Sequence, residues 1–170
     1  NNGGLASNYS ITPGQTTTAN ITAKSLTISG IIASSKTYNG STGATLDTSA
    51  ILYSGLIPGD TFDGSYTGVF SNANVGTAKT VTITSSYTGA DVSNYNITNQ
   101  TSTTADINTK VLLLSTFSAA DKAYDGNNTP TTTSAVSGFV GSETVTHSIT
   151  ATFDNKNVGS NKVVTANSIT

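Results

Sequence analysis

One long pattern occurs twice in the chain, and this internal repeat restricts the possible folds more than any other feature of the sequence. Residues 7–40 match residues 93–126 at 16 of 34 positions, at an offset of 86. Residues 54–85 match residues 137–168 at 14 of 32 positions, at an offset of 83. Such periods are typical of arrays in which each unit contacts only its neighbours. The sequence therefore predicts tandem units of roughly 85 residues, stacked end to end.

The phase of the repeat divides the chain into three parts. Residues 1–24 match the closing strands of a unit, residues 25–110 form a complete unit, and residues 111–170 form a second unit without its closing strands. Two explanations fit this phase. We favour a window cut from a longer array. The alternative is a fibre subunit, in which residues 1–24 of one chain complete residues 111–170 of the next by strand addition.

Composition and alternation favour strands throughout. Serine and threonine together supply 56 residues, and Thr, Val, Ile, Tyr and Phe favour strands while Gly and Asn favour turns. Alternating stretches between turn signals predict strands in the first period at residues 8–12, 18–29, 34–38, 44–53, 60–70 and 78–86. We find no helical periodicity. The predicted fold is all-β, with each unit a small β-sandwich, immunoglobulin-like or an open barrel.

Charge and residue types argue against several classes of function. Only 9% of residues are charged, the net charge is −2, and all seven basic residues are lysine. Because arginine makes most bidentate contacts to phosphates and bases, its absence argues against nucleic-acid binding. No cysteine is present for disulfides or thiolate chemistry. We expect no catalysis, since the single histidine, His147, has no recognisable partners and is expected on an exposed strand.

The first recurring motif is "KTYNG", which returns as "KAYDG". Its residues are Lys36, Tyr38 and Gly40 in the first unit and Lys122, Tyr124, Asp125 and Gly126 in the second. Asn-Gly and Asp-Gly are strong turn signals. We therefore interpret the motif as a structural corner built once per unit. Each tyrosine is expected to be a half-buried ring with its hydroxyl on a backbone partner.

The second recurring motif is "FSNANVGTAK", which returns as "FDNKNVGSNK". Its residues are Phe70, Asn74, Val75, Gly76 and Lys79 in the first unit and Phe153, Asn157, Val158, Gly159 and Lys162 in the second. We expect a hairpin turn in which the glycine adopts a positive φ angle and the valine enters the core.

Oxygen-rich stretches raise the question of metal binding. "DGNN" at residues 125–128 and "DNKN" at residues 154–157 suggest calcium loops, but neither has alternating ligands ending in a glutamate. We expect no cofactor, with calcium as the alternative. Isopeptide bonds between the recurring lysines and Asn or Asp are a further alternative, which requires a buried acid beside each pair.

Taken together, these motifs resemble the YDG/MBG-type repeats ("mostly beta, glycine-rich") of large secreted bacterial adhesins, including filamentous-haemagglutinin-like proteins. The similarity covers the whole chain, with "KxY(D/N)G", "FxNxNVGxxK" and "NYxIT…ITAK" each present. The first unit departs from the family pattern at Asn39, where Asp is usual, and at Ala73, where Lys is usual. The resemblance implies a β-rich stalk or spacer without a defined ligand.

The expected function is that of a structural or adhesive module, extracellular and at the bacterial cell surface. Its expected partners are neighbouring repeats of the same chain or identical subunits, and a host or surface receptor, glycan or protein, is unidentified. No apolar run in this segment is long enough to span a membrane. A carbohydrate-binding module is a further alternative, for which the non-repeated Tyr53 and Tyr66 are the candidate aromatic residues.

Overall fold

The computed structural model describes residues 3–170, where the regular structure is almost entirely β-strand. The first unit contains β1 Lys24–Ser29, β2 Ile32–Ala33, β3 Lys36–Thr37, β4 Gly43–Ala44, β5 Leu46–Asp47, β6 Leu52–Ser54, β7 Asp63–Phe70, β8 Gly76–Thr88, β9 Tyr95–Thr98 and β10 Ser102–Asn108. The second contains β11 Leu113–Ala119, β12 Thr132–Ser137, β13 Ile149–Phe153 and β14 Val164–Ile169. Two 3-10 turns complete the set, Ala6–Asn8 and Val92–Asn94. The prediction of an all-β fold is confirmed.

No helix within residues 3–170 is long and apolar enough to cross a membrane.

The first unit is built from two larger sheets and one short strand pair, which enclose two core clusters. A three-stranded sheet has the order β6-β1-β9, a five-stranded sheet has the order β3-β10-β8-β7-β4, and β2 pairs with β5. Strand β8 alternates buried apolar residues with exposed threonines, as a strand with one buried face requires. Its Ile83 packs with Ile28 of β1, so the apolar faces of the two sheets meet.

A second cluster is formed by side chains of the five-stranded sheet. It depends on the pairing of β10 with β8, two strands that are far apart in the sequence. Phe70 and Val81 stand opposite each other in the β7–β8 hairpin, and Ala105 and Ile107 of β10 pack on them. All four are at most 7% exposed. The core of this unit is therefore complete only when β10 is in place.

Strands β9 and β10 complete the first unit, β9 in the three-stranded sheet and β10 in the five-stranded sheet. β9 runs parallel to β1, with Leu26 opposite Ile97. β10 runs antiparallel to β8, with Thr103 opposite Val81. Both strands belong to the "NYxIT…ITAK" region, so the part of the sequence that ends a unit is also the part that covers its core.

Within residues 111–170, the second unit repeats two strand pairs of the first unit. β11 pairs with β12 as β1 pairs with β6, and β13 pairs with β14 as β7 pairs with β8. Each pair is an isolated two-stranded sheet. Within residues 3–170, every fully buried side chain lies between Leu26 and Ile107. Residues 111–170 therefore form strands and turns but seal no core by themselves.

Three strand predictions, at residues 8–12, 18–29 and 44–53, are wrong in whole or in part. Residues 8–12 and 18–23 form no strand, since an extended segment needs a hydrogen-bonded partner and none lies beside it. Residues 1 and 2 of the predicted 1–24 segment lie outside the described residues. The strand predicted at 44–53 is three short strands, because the Asp47 side chain accepts a hydrogen bond from Ser49 N at 2.8 Å and turns the chain.

Candidate functional sites

The first "KxYxG" turn is organised around a lysine ammonium group. Lys36 Nζ donates to Asn39 Oδ1 at 3.1 Å, to the Ser41 carbonyl at 2.7 Å and to the Gly43 carbonyl at 3.0 Å. Asn39 Oδ1 also accepts from Ser41 N at 3.1 Å. Gly40 has a φ of 73°, a value that glycine adopts at little cost. The lysine thus ties the strand before the turn to two carbonyl groups that follow it.

The second "KxYxG" turn has the same arrangement. Lys122 Nζ lies 2.7 Å from Asn127 Oδ1 and 3.3 Å from the Thr129 carbonyl, and Gly126 has a φ of 83°. Asp125 takes the place of Asn39 and forms an ion pair with the ammonium at 2.7 Å. The hydrogen bond from Lys122 holds the pKa of the Asp125 carboxyl below its usual range.

The tyrosines of the two turns differ in their surroundings. Tyr38 is half-buried against the Phe70 cluster, and its hydroxyl donates to the Glu143 carboxylate, which raises the pKa of the phenol. Tyr124 is 62% exposed, so the expectation of a half-buried ring is wrong for this residue. The expectation of a backbone partner for the Tyr38 hydroxyl is wrong, because the turn at Glu143 of the second unit lies within reach.

The "FxNxNVGxxK" turns are also centred on lysines. Lys79 Nζ donates to Asn72 Oδ1 at 2.7 Å, and Lys162 Nζ donates to Asn155 Oδ1 at 2.5 Å. Asp154 adds an ion pair to Lys162 at 2.8 Å, which lowers the pKa of the Asp154 carboxyl. Asn72 and Asn155 were missed as key residues, although their recurrence at one position of the aligned motifs is a signal for them.

The expected roles of valine and glycine in this turn are wrong. Val75 is 47% exposed and Val158 is 89% exposed. The positive φ angles belong instead to Ala78, at 46°, and Asn161, at 54°. A physical reason exists for the glycine at position 76: a Cβ atom there would lie 3.3 Å from two carbons of the Lys79 side chain, which crosses over it.

Both oxygen-rich stretches direct their oxygens at lysine. In "DGNN" and "DNKN" the carboxylate and amide oxygens converge on Lys122 and Lys162 respectively. Within residues 3–170 there is no cluster of three His, Cys, Asp or Glu side chains. A lysine ammonium therefore occupies the position that a cation would take in each turn. Asp154, the acid beside Lys162, is 46% exposed.

The remaining aromatic residues of interest belong to the interior of the first unit. Tyr53 and Tyr66 are half-buried, and their hydroxyl oxygens lie 3.2 Å apart. Phe62 packs edge-on to Tyr53 at 5.5 Å between ring centroids. Burial raises the pKa of Tyr66. These rings pack against the core cluster of Ile28, Ile31 and Ile83 and so help to build the interior of the first unit.

His147 is half-buried and lies outside the strands, which corrects the expectation of an exposed strand histidine. Its Nε2 is 2.9 Å from Ser134 Oγ. No carboxylate hydrogen-bonds to this ring within the described residues 3–170. A serine–histidine pair without an acid on the second ring nitrogen lacks the group that orients the imidazole in hydrolases.

Comparison with known proteins agrees with the motifs. A family model of the YDG domain matches residues 22–105 and 108–170, which together are well over half of the chain. Comparison with curated proteins gives no match, and neither does comparison with solved structures. The unit boundaries at residues 24/25 and 110/111 stay a prediction. The matched segments include both lysine-centred turns of each unit, and the chain belongs to the YDG domain family.

Proposed function

We propose that the chain is a structural module of an extracellular adhesive stalk at the bacterial surface, without catalytic activity. The main observation in support is that each unit builds the same corners from the same lysine-centred contacts. Lys36 and Lys122 organise one corner of the two units, and Lys79 and Lys162 the other. A unit that is rebuilt from its own local contacts can be repeated to set the length of a stalk.

The chemistry of the described side chains also supports a mechanical role. The strongest side-chain networks serve turns, and the aromatic rings fill the core of the first unit. The polar surface, rich in Thr and Asn, suits a hydrated stalk that carries a binding region elsewhere. Its resemblance to repeats of secreted bacterial adhesins supports the location at the cell surface.

Surface labelling of the producing bacterium tests this function. An antibody against residues 111–170 is expected to label intact cells, and external protease is expected to remove the label. Deleting residues 25–110 is expected to keep the label but shorten its distance from the cell envelope in immunogold images, since a spacer unit has been lost.

An abundant cytoplasmic protein serves as the control and should be labelled only after permeabilisation. Labelling of residues 111–170 that also requires permeabilisation would contradict the extracellular location. An unchanged distance after deletion of residues 25–110 would contradict the spacer role.

A further inference from the structure

The asparagine of the first "KxYxG" turn, Asn39, is followed directly by glycine. In such a pair the backbone nitrogen of the glycine can attack the side-chain carbon Cγ of the asparagine and close a cyclic imide. A side chain on the second residue hinders this attack, and glycine has none. Asn39 and Gly40 are both exposed, so water reaches the pair. The turn therefore contains both reactants of a deamidation.

The Asn39 side chain is folded back along the backbone that follows it. Its Oδ1 accepts a hydrogen bond from Ser41 N at 3.1 Å, which places the amide group over the Gly40 peptide. Gly40 lies between β3 and β4, so strand pairing does not hold its N–H group. This geometry brings the attacking nitrogen and the carbon that it attacks to the same side of the turn.

Hydrogen-bond donors surround the oxygen on which negative charge develops during the attack. In addition to Ser41 N, Asn39 Oδ1 accepts from Lys36 Nζ at 3.1 Å and from Ser41 Oγ at 2.9 Å. Donors fixed around such an oxygen stabilise addition to its carbon, as an oxyanion hole does. Within residues 3–170, no hydrogen bond reaches the main-chain carbonyl of Asn39. The turn thus favours addition at the side-chain carbon over addition at the main-chain carbon.

The second "KxYxG" turn shows how the same turn accommodates a carboxylate. Asp125 occupies the position of Asn39. It accepts from Asn127 N at 3.0 Å, as Asn39 accepts from Ser41 N, and forms an ion pair with Lys122 at 2.7 Å. The glycines that follow have similar φ angles, 73° and 83°. An aspartate therefore fits this turn without rearrangement and gains an ion pair with the lysine.

We propose that Asn39 is a self-modification site, where the side-chain amide is converted into the carboxylate of an aspartate that pairs with Lys36. Gly40 N bonds to Cγ, the bond from Cγ to the side-chain nitrogen breaks, and ammonia leaves with the proton of Gly40 N. Water then adds to Cγ, the bond between Gly40 N and Cγ breaks, and Gly40 N regains a proton. The net reaction converts an amide and water into a carboxylate and ammonium, without oxidation or reduction. It goes beyond the stalk function and does not depend on it.

Three other asparagines in residues 3–170 accept from a lysine in a similar turn, but none of them precedes glycine. Asn72 Oδ1 accepts from Asn74 N at 3.0 Å and from Lys79 Nζ at 2.7 Å, yet the next residue is alanine. Asn127 precedes an asparagine and Asn155 precedes a lysine. These turns have the donors without the unhindered nitrogen, so their amides are expected to persist.

Peptide mapping of the full chain during incubation at neutral pH tests the proposal. Digestion with pepsin in acid stops the reaction, and mass spectrometry follows each asparagine separately, which is needed because Asn2–Gly3 is a second pair of this kind. We expect Asn39 to be converted while the other three turn asparagines keep their amides. Electron-transfer fragmentation should show more aspartate than isoaspartate, the isomer that forms when water adds to the main-chain carbonyl.

A peptide of residues 34–45 is the reference without the folded turn. Because it lacks the fixed donors around Oδ1, it should react at least about tenfold more slowly than the folded chain. Its main product should be isoaspartate, since nothing in the peptide directs water to the side-chain carbon.

Two lysine variants test the role of the ammonium group. Lys36→Met removes the charged donor from Asn39 Oδ1 and should slow the conversion by at least about tenfold. Lys24→Met, which removes an exposed charge at the start of β1, should leave the rate unchanged. Asn39→Asp supplies the product directly and should raise the urea midpoint above that of freshly purified protein. In a Lys36→Met background the same change should bring no such gain, because the ion pair cannot form.

Three results would overturn the proposal. One is an Asn39 amide that persists in the folded chain while the peptide is converted, which would mean that the turn protects it. Another is isoaspartate as the main product of the folded chain. The third is a Lys36→Met chain that reacts as fast as Lys24→Met. None of these results bears on the surface labelling, so the stalk function and the modification fail separately.

Discussion

Replacing Phe70 with alanine is expected to lower the free energy of unfolding of the first unit by about 3–5 kcal/mol. Phe70 is 2% exposed and contacts the strand that covers the core, since it packs with Val81 and Ile107. The substitution removes the ring and leaves a cavity that the surrounding strands fill only in part. Urea denaturation followed by tyrosine fluorescence measures the change, because Tyr38 packs on the same cluster.

Phe153→Ala is the matched control, because Phe153 occupies the same position of the second unit. Phe153 is only half-buried, so its loss removes less apolar surface from contact and should cost about 1 kcal/mol or less in a monomeric chain. Equal effects of the two substitutions would show that the second unit already has a sealed core, which would contradict the account.

Replacing Lys36 with methionine is expected to destabilise the first unit by about 2 kcal/mol. Methionine keeps most of the aliphatic stem but removes the ammonium group from the Ser41 and Gly43 carbonyls and from Asn39 Oδ1. The ammonium also lies 5.2 Å from the centre of the Phe70 ring, a cation–π contact that the variant lacks. The same denaturation experiment provides the measurement.

Lys24→Met is the control for the loss of one positive charge. Lys24 is exposed at the start of β1, and a surface substitution of this kind is expected to change stability by no more than about 0.5 kcal/mol. A Lys36→Met variant as stable as Lys24→Met would mean that the ammonium group does not organise the turn.

Local signals in the sequence account for the features that were predicted correctly. Alternation of apolar and polar residues identified β7 and β8 to within three residues at each end, because a strand with one buried face has a period of two. Asn-Gly and Asp-Gly indicated the turns at Gly40 and Gly126, because a positive φ costs glycine little.

The errors occurred where the outcome depends on distant residues. Residues 8–12 carry the same pattern as β9, but β9 is a strand because β1 lies beside it. The Tyr38 hydroxyl finds Glu143, 105 positions away in the chain. A single sequence contains no local signal for these contacts.

Hydrogen–deuterium exchange on the dilute, monomeric chain tests most directly whether residues 25–108 enclose a core while residues 111–170 do not seal one by themselves. We expect the slowest amides to lie in β8 and β10 and those of β14 to exchange much faster, although β8 and β14 are aligned in sequence. Equal protection of β8 and β14 would mean that residues 111–170 already seal a core of their own, contrary to the burial of their side chains in this chain.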